Sequence, residues 1–157
     1  MKLNLGENVW YFAYGSNMDT ERMKERVGRL PDRIPGVLRN WRLEFNKAWE
    51  NIPGAGFANI VPCPGDAVEG VLYLLLGEEL RELDRYEGVP RHYKQRQVSV
   101  ERRETGEVVA AVTYVASPDK VRHGLKPTRE YIGYLLSGAD CLSKEYVQHL
   151  QAVETLN

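Results

Sequence analysis

The pattern of hydrophobic and polar positions predicts a chain of short strands interrupted by helices. Segments rich in β-branched, aromatic and other apolar residues predict strands at 9–14, 34–40, 42–48, 57–61, 69–76, 93–102 and 107–116. The tetrapeptide C-P-G-D predicts a turn between the fourth and fifth of these strands, and E-T-G predicts a hairpin between the last two. Most neighbouring strands are therefore expected to pair in antiparallel fashion.

Helices are predicted where apolar positions recur at helical spacing between capping residues. The first is the segment Asp19–Val27, with Asp19 as its cap and Gly28 as its stop. A second helix is predicted at 78–87, where it ends before Gly88, and Pro127 is predicted to open a third over P-T-R-E-Y-I-G-Y-L-L-S-G-A-D. A last helix is predicted to follow Ser143. The expected fold is a single α+β domain over residues 1–157, with mostly antiparallel strands and flanking helices.

Length and charge limit the class of partner. At 157 residues the chain fits one domain with a substantial core, and 21 basic against 22 acidic residues leave a net charge of -1. That balance argues against binding to a nucleic-acid backbone and favours a small-molecule ligand. The N-terminus M-K-L-N-L-G-E-N is too polar for a signal peptide, and no apolar run is long enough to span a membrane. We therefore expect a cytoplasmic protein.

Metal-binding and disulfide patterns are not evident in the sequence. Cys63 and Cys141 are far apart, and neither belongs to a C-x-x-C pair. His92, His123 and His149 do not share a metal-ligand spacing. A structural metal site and a disulfide framework are therefore not expected.

Glu87 is the anomalous polar residue of the pattern. Counting back at helical spacing gives Leu83, Leu80 and Leu76, so the Glu87 side chain is expected to point toward the interior. Its place in the last turn, before Gly88, adds an unfavourable interaction with the helix dipole. Burial and the dipole both raise a carboxyl pKa, which suits a general acid/base. The alternative is a surface carboxylate paired with Arg85 or Arg91.

The sequence G-S-N at residues 15–17 follows the first predicted strand directly. Gly15 allows a ligand to approach the main chain, Ser16 and Asn17 supply polar side chains, and successive N–H groups at such a turn can bind an oxyanion. The alternative is an ordinary turn with Asn17 as a local cap. Ser16 is a weak candidate for a nucleophile, because the G-x-S-x-G motif is absent.

Taken together, these motifs resemble the gamma-glutamylcyclotransferase family. The resemblance lies in Y-F-A-Y-G-S-N (11–17), in G-F-A-N-I-V-P-C-P-G-D-A-V-E-G-V-L-Y (56–73), in L-D-R-Y-E-G-V around Glu87, and in the tyrosine of H-Y-K-Q-R-Q-V. It covers most of residues 10–154, whereas the segment 117–128 matches no family pattern.

The resemblance implies a gamma-glutamylcyclotransferase-like fold, a small β-barrel with flanking helices, that needs no metal or organic cofactor. Its implied general acid/base is Glu87. The implied substrate-binding residues are Tyr14, Gly15, Ser16, Asn17, Tyr93, Tyr114 and Tyr131. The implied reaction closes a γ-glutamyl-amino acid or γ-glutamylamine to 5-oxoproline and frees the amino acid or amine.

Alternatives to this function come from two classes. One is an enzyme that removes a γ-glutamyl group within a biosynthetic pathway, and the other is a non-catalytic ligand-binding domain on the same fold. A monomer and a homodimer are both compatible with the sequence.

Overall fold

The computed structural model describes residues 6–157, so residues 1–5 of the segment considered for a signal peptide lie outside the described residues. The strands are β1 (Asn8–Ala13), β2 (Arg33–Ala48), β3 (Gly56–Leu76), β4 (Tyr93–Arg102) and β5 (Val108–Ala116). The helices are α1 (Thr20–Val27), α2 (Gly77–Tyr86), α3 (Arg129–Leu136) and α4 (Lys144–Gln151). No helix within residues 6–157 is both long and apolar enough to cross a membrane.

The strands form a closed barrel in the order β1-β3-β2-β4-β5. All neighbours are antiparallel except β1 and β5, which pair in parallel through Trp10–Ala111 and Tyr11–Val112. The other short junction joins β2 to β4 at Gly36–Arg102 and Val37–Glu101. Closure removes the exposed sheet edges. The expected α+β barrel with flanking helices is confirmed.

Two predicted strand pairs are each one long strand, which corrects the predicted boundaries. The predicted strands 34–40 and 42–48 are halves of β2, and 57–61 and 69–76 are halves of β3. The first half of β2 pairs with the second half of β3, and the second half of β2 pairs with the first half of β3, so the two strands run antiparallel along their whole length. The predicted C-P-G-D turn is therefore a bulge, in which residues 63–66 lie opposite Asn40. Asn40 accepts a hydrogen bond from the Gly65 N–H at 3.1 Å.

Helix ends follow the predicted capping residues at three places. Asp19 caps α1 through the Glu21 N–H, Gly28 ends it in a left-handed conformation, and Ser143 caps α4 through the Tyr146 N–H. The prediction for α3 was too long at both ends. Pro127, predicted as the first helical residue, lies before α3. The cap is Thr128, whose hydroxyl accepts the Tyr131 N–H, and residues 139–141 form a separate 3-10 turn.

The core fills the barrel and continues beneath α2. Leu80 and Leu83, predicted to face inward, are fully buried, as are Phe12, Leu72 and Tyr73 of the barrel. Burial of such side chains is the main favourable contribution to folding. The short 3-10 turn Ser16–Met18 links β1 to α1 and inserts Met18 into this core. Asn17 of this turn contacts Glu87, the residue directly after α2, at 3.0 Å.

Candidate active site

The predicted site residues gather around one small cavity at the end of the barrel. Its volume is about 30 Å³, and it is lined by Tyr11, Tyr14, Gly15, Ser16, Asn17, Ala58, Glu87, Tyr93, Tyr114 and Tyr131. All eight predicted residues are in this set. Tyr11 and Ala58 were not predicted. Within the described residues, no group of three or more His, Cys, Asp or Glu side chains is arranged to hold a metal ion.

Asn17 is the centre of the polar network in this cavity. Its amide nitrogen donates to the Tyr11 hydroxyl at 2.9 Å and to Glu87 Oε1 at 3.0 Å. Its amide oxygen accepts a hydrogen bond from Arg26 Nη1 at 2.8 Å. The backbone carbonyl of Asn17 accepts from the Tyr73 hydroxyl at 2.8 Å. Because both amide hydrogens and the amide oxygen are used, the side chain is held in one orientation.

Glu87 follows the last residue of α2 and reaches back into the cavity. Its side chain is 17% exposed, and Oε1 lies 3.8 Å from Arg26 Nη1. The surface alternative does not hold, since the carboxylate contacts Arg26 and Asn17 while Arg85 pairs with Glu82 at 3.4 Å. Gly88 is needed next in the chain because its φ is +65° and a Cβ there would lie 2.7 Å from the His92 ring.

The environment of Glu87 favours its protonated form. Burial raises the pKa of this carboxyl above its ordinary value of 4.5, and this effect exceeds the opposing influence of Arg26, Arg22, the Asn17 hydrogen bond and Lys47. Oε1 is engaged by Asn17, whereas Oε2 makes no hydrogen bond with any residue in the described range. Oε2 is therefore the oxygen available to exchange a proton with a ligand.

The cavity tyrosines are neutral hydrogen-bonding groups. Burial raises the pKa of Tyr11, Tyr14, Tyr93 and Tyr114, and it raises that of Tyr131 to about 12. Tyr14 donates to the Tyr114 carbonyl, and the Tyr114 hydroxyl donates to Asp84 at 2.7 Å. These two hydroxyls are thus occupied by the protein. The Tyr11 hydroxyl accepts from Asn17 and keeps its own proton for another acceptor.

Ala58 of β3 connects the barrel wall to two of these tyrosines. Its N–H donates to the Tyr131 hydroxyl at 3.1 Å, and its carbonyl accepts from the Tyr93 hydroxyl at 2.8 Å. Gly15 completes this wall, since a Cβ there would lie 3.2 Å from the Tyr131 hydroxyl and 3.3 Å from the Ala58 Cβ. The floor of the cavity is therefore formed by main chain and closely fitted tyrosines.

A larger cavity of about 280 Å³ adjoins the first and shares Ser16, Glu87, Tyr93 and Tyr131 with it. We call these the inner and the outer cavity. The remaining wall of the outer cavity consists of Arg22, Arg26, Lys47, Phe57, Tyr86, Gly88 and His92. Its basic residues were not predicted.

Sequence signals for these missed basic residues exist. Arg22 and Arg26 are four residues apart on α1, so they occupy the same face directly after the G-S-N loop. Lys47 follows Leu43 and Phe45 at alternating positions of a strand, where an apolar residue is expected. A lysine in that position is the kind of buried charge that marks a site.

Comparison with known proteins agrees with this fold and this cavity. The model of the family described as "Gamma-glutamyl cyclotransferase, AIG2-like" matches residues 11–132. The gamma-glutamylcyclotransferase of Bos taurus is 31% identical over 156 residues, with 95% of this chain and 80% of the relative covered. That of Homo sapiens is 30% identical over 162 residues, with 94% and 80% covered.

A solved structure of a gamma-glutamyl cyclotransferase is similar throughout. Its TM-score to this chain is 0.83 at 29% sequence identity, and the match covers 96% of this chain and 90% of that chain. The class of protein is thus a small α+β barrel with a cavity that contains the Glu87 carboxyl at one end. The chain belongs to the gamma-glutamyl cyclotransferase, AIG2-like family. This membership supports an enzyme of the gamma-glutamylcyclotransferase kind.

Proposed function

We propose that the protein converts a γ-glutamyl compound to 5-oxoproline and a free amine or amino acid, with Glu87 as the general acid/base. The observation that carries the proposal is the buried Glu87 carboxyl, which accepts a hydrogen bond from Asn17 of the G-S-N loop inside a cavity. A carboxyl with a raised pKa that lines both this cavity and the adjoining outer cavity of about 280 Å³ is suited to proton transfer near neutral pH.

The reaction is an intramolecular aminolysis. The α-amino nitrogen of the γ-glutamyl group attacks its own γ-carbonyl carbon, and a five-membered ring forms as the bond to the leaving nitrogen breaks. Glu87 Oε2 takes one proton from the α-ammonium group before attack and gives it to the leaving nitrogen. It then takes the second proton, which the attacking nitrogen loses as the ring amide forms, and passes it to the released amine, which departs as an ammonium ion. The carboxyl therefore returns to its starting state, and no other reactant is consumed.

The inner cavity supports the closed pose that this attack requires. The Tyr14–Asn17 loop binds the glutamyl group through main-chain N–H groups and the Ser16 hydroxyl, and Tyr93, Tyr114 and Tyr131 enclose it. Restricting a flexible chain to a ring-like geometry can contribute several kcal/mol to catalysis, on the order of 7 or more in favourable systems. Tight walls at Gly15 and Ala58 favour such a restriction.

The Tyr11 hydroxyl is our candidate for stabilising the oxyanion that develops on the γ-carbonyl oxygen. It accepts a hydrogen bond from Asn17, and its own proton is available to a ligand. Its raised pKa keeps it a neutral donor. The Tyr14 and Tyr114 hydroxyls already donate to protein acceptors and are assigned to shaping the cavity.

The proposal is tested by incubating the purified protein with γ-glutamyl-amino acids, γ-glutamylamines and glutathione and measuring 5-oxoproline. Formation of 5-oxoproline by the wild type, and its loss in Glu87→Gln, are the expected results. Absence of product from every compound favours a ligand-binding domain instead. We also propose a cytoplasmic location, which fractionation of cells that express the chain would test.

A further inference from the structure

The wall of the outer cavity has more basic than acidic side chains. Arg22, Arg26 and Lys47 lie on its wall, and Glu87 is the acidic residue among them. Arg26 is engaged by Glu87 and by the amide oxygen of Asn17. Within residues 6–157, neither Arg22 nor Lys47 has a carboxylate oxygen within 4.0 Å. Two positive charges therefore face the cavity without a counter-charge from the described chain.

Lys47 is the most unusual of these groups because it is buried. The residue is 4% exposed, and its ammonium donates to the Ala48 carbonyl at 3.0 Å. The ammonium also lies 5.4 Å from the centre of the Phe57 ring and 5.8 Å from that of Tyr93. An ammonium has three N–H donors, so this arrangement leaves donors for a ligand. Burying a charge without an opposite charge nearby is energetically unfavourable, and residues in such an unfavourable state are typical of functional sites.

Arg22 and His92 add unused hydrogen-bonding atoms to the same cavity. Arg22 Nε and His92 Nδ1 are buried and have no hydrogen-bond partner among the described residues. The Arg22 guanidinium lies over the Tyr134 ring at 4.7 Å, which holds it in place. Buried polar atoms in proteins are normally hydrogen-bonded, so exceptions that line one cavity indicate a bound polar group.

The outer cavity also begins where a leaving group would emerge. It shares Glu87 and Ser16 with the inner cavity, which holds the γ-glutamyl group in the proposed reaction. The nitrogen that receives a proton from Glu87 must therefore lie at the junction of the two cavities. Substituents on that nitrogen extend toward Lys47 and Arg22.

We propose that Lys47 and Arg22 bind the α-carboxylate of the leaving amino acid, and that they select γ-glutamyl-amino acids over γ-glutamylamines. This inference rests on the proposed cyclotransferase activity. A γ-glutamyl-amino acid with a neutral side chain carries two carboxylates and one ammonium, whereas a simple γ-glutamyl-alkylamine lacks the second carboxylate. Only the former brings a counter-charge to the outer cavity.

The titration of Lys47 agrees with this assignment. Burial lowers the pKa of its ammonium from 10.5, and Lys120 lowers it further, while Glu50 and Glu87 oppose the change. A carboxylate that enters the outer cavity also opposes it, because an adjacent negative charge favours the protonated amine. Binding of the leaving amino acid thereby restores a favourable environment for Lys47.

The test compares γ-glutamyl-alanine with γ-glutamyl-alaninamide and γ-glutamyl-ethylamine as substrates. The quantity measured is the ratio of kcat/KM for the acid to kcat/KM for each uncharged analogue. Hydrogen bonds to a charged group predict a ratio of about 10 to 100 for the wild type. Lys47→Met and Arg22→Gln should each reduce this ratio by about tenfold. Lys144→Met removes the same charge from the exposed start of α4 and should keep the wild-type ratio.

The possible outcomes separate this inference from the proposed function. The carboxylate site is disproved if the wild type turns over the acid and the amide equally well. It is also disproved if Lys47→Met and Arg22→Gln lower kcat/KM for all three substrates by one common factor. In both cases the cyclotransferase activity stands. If the wild type forms 5-oxoproline from none of them, the proposed function fails and the inference falls with it. Circular dichroism establishes whether each variant is folded. If Lys47→Met does not fold, Arg22→Gln provides the test.

Discussion

Asn17 and Glu87 are 70 residues apart in the sequence, and their side chains are joined by a hydrogen bond of 3.0 Å. Asn17 also accepts a hydrogen bond from Arg26, so the loop after β1, the helix α1 and the end of α2 meet at one carboxyl group. Glu87 is therefore held in a defined position beside the inner cavity.

Glu87→Gln should lower kcat for 5-oxoproline formation by about 100-fold to 10,000-fold, the usual contribution of a general acid/base. The amide keeps the size of the side chain and can still contact Asn17, but it cannot accept and return a proton. Steady-state kinetics with a γ-glutamyl-amino acid measures the effect. Glu82→Gln is the matched control, since it makes the same change at an exposed position of α2. Comparable losses in both variants would contradict the assignment.

The stability of Glu87→Gln should depend on pH differently from that of the wild type. The Glu87 pKa is raised in the folded chain, so this carboxyl favours folding while it is protonated, and its contribution is complete below 4.5. The contribution is lost as the pH rises through the raised pKa. The variant lacks this loss, so its free energy of unfolding should increase relative to wild type between about pH 4 and pH 7. Urea denaturation at both pH values measures it, and a constant difference would argue against a raised pKa.

Asn17→Ala should move the acid limb of the kcat profile to higher pH. The hydrogen bond from Asn17 lowers the pKa of Glu87 in opposition to burial, so its removal raises that pKa further. More alkaline conditions are then needed to ionise the carboxyl for proton abstraction. Arg26→Met should shift the limb in the same direction, because Arg26 also lowers the Glu87 pKa. A uniform loss of kcat with an unchanged limb would indicate a purely structural role for Asn17.

Gly15→Ala should impair catalysis more than it impairs folding. The added methyl group would lie 3.2 Å from the Tyr131 hydroxyl and 3.3 Å from the Ala58 Cβ, so the cavity wall must shift. A displacement of this kind is enough to lower kcat/KM by about tenfold to 100-fold. Gly133→Ala is the control, because a Cβ there meets nothing within 4 Å and it should stabilise α3 by about 0.5–1 kcal/mol. Wild-type kinetics in Gly15→Ala would show that the loop does not bind substrate.

Tyr11→Phe should lower kcat with a smaller effect on KM. The variant removes the hydroxyl proton proposed to stabilise the oxyanion, and loss of one such donor costs about 100-fold to 1,000-fold in kcat. It also removes an acceptor for Asn17, so a modest loss of stability is expected. Tyr134→Phe, which removes the hydroxyl of a half-buried residue outside both cavities and keeps the ring that contacts Arg22, should behave as wild type in kcat. An increase in KM with unchanged kcat would assign Tyr11 to substrate binding alone.

Much of the fold could be predicted because its signals are local. Alternation and apolar runs locate β1, β4 and β5, and the caps Asp19 and Ser143 mark helix starts that the structure confirms. The boundary within β3 was wrong because glycine and proline at residues 62–66 are typical of turns, and the boundary predicted within β2 falls opposite the same segment, at Asn40. Pairing with a continuous partner strand turned that segment into a bulge instead.

The sequence alone determined the α+β class, the inward direction of Glu87 and the membership of the G-S-N loop in a candidate site, since each depends on periodicity or on a contiguous motif. Only the tertiary structure decided which groups surround the carboxyl. Asn17 contacts Glu87 and the Tyr11 hydroxyl, and Lys47 is buried in the adjoining cavity. Barrel closure and the bulge in β2 before residue 47 bring these distant segments together. Contacts between residues far apart in the chain leave no local pattern, so the convergence of Arg22, Arg26 and Lys47 on one cavity became evident only from the folded chain, although each position carries a local signal.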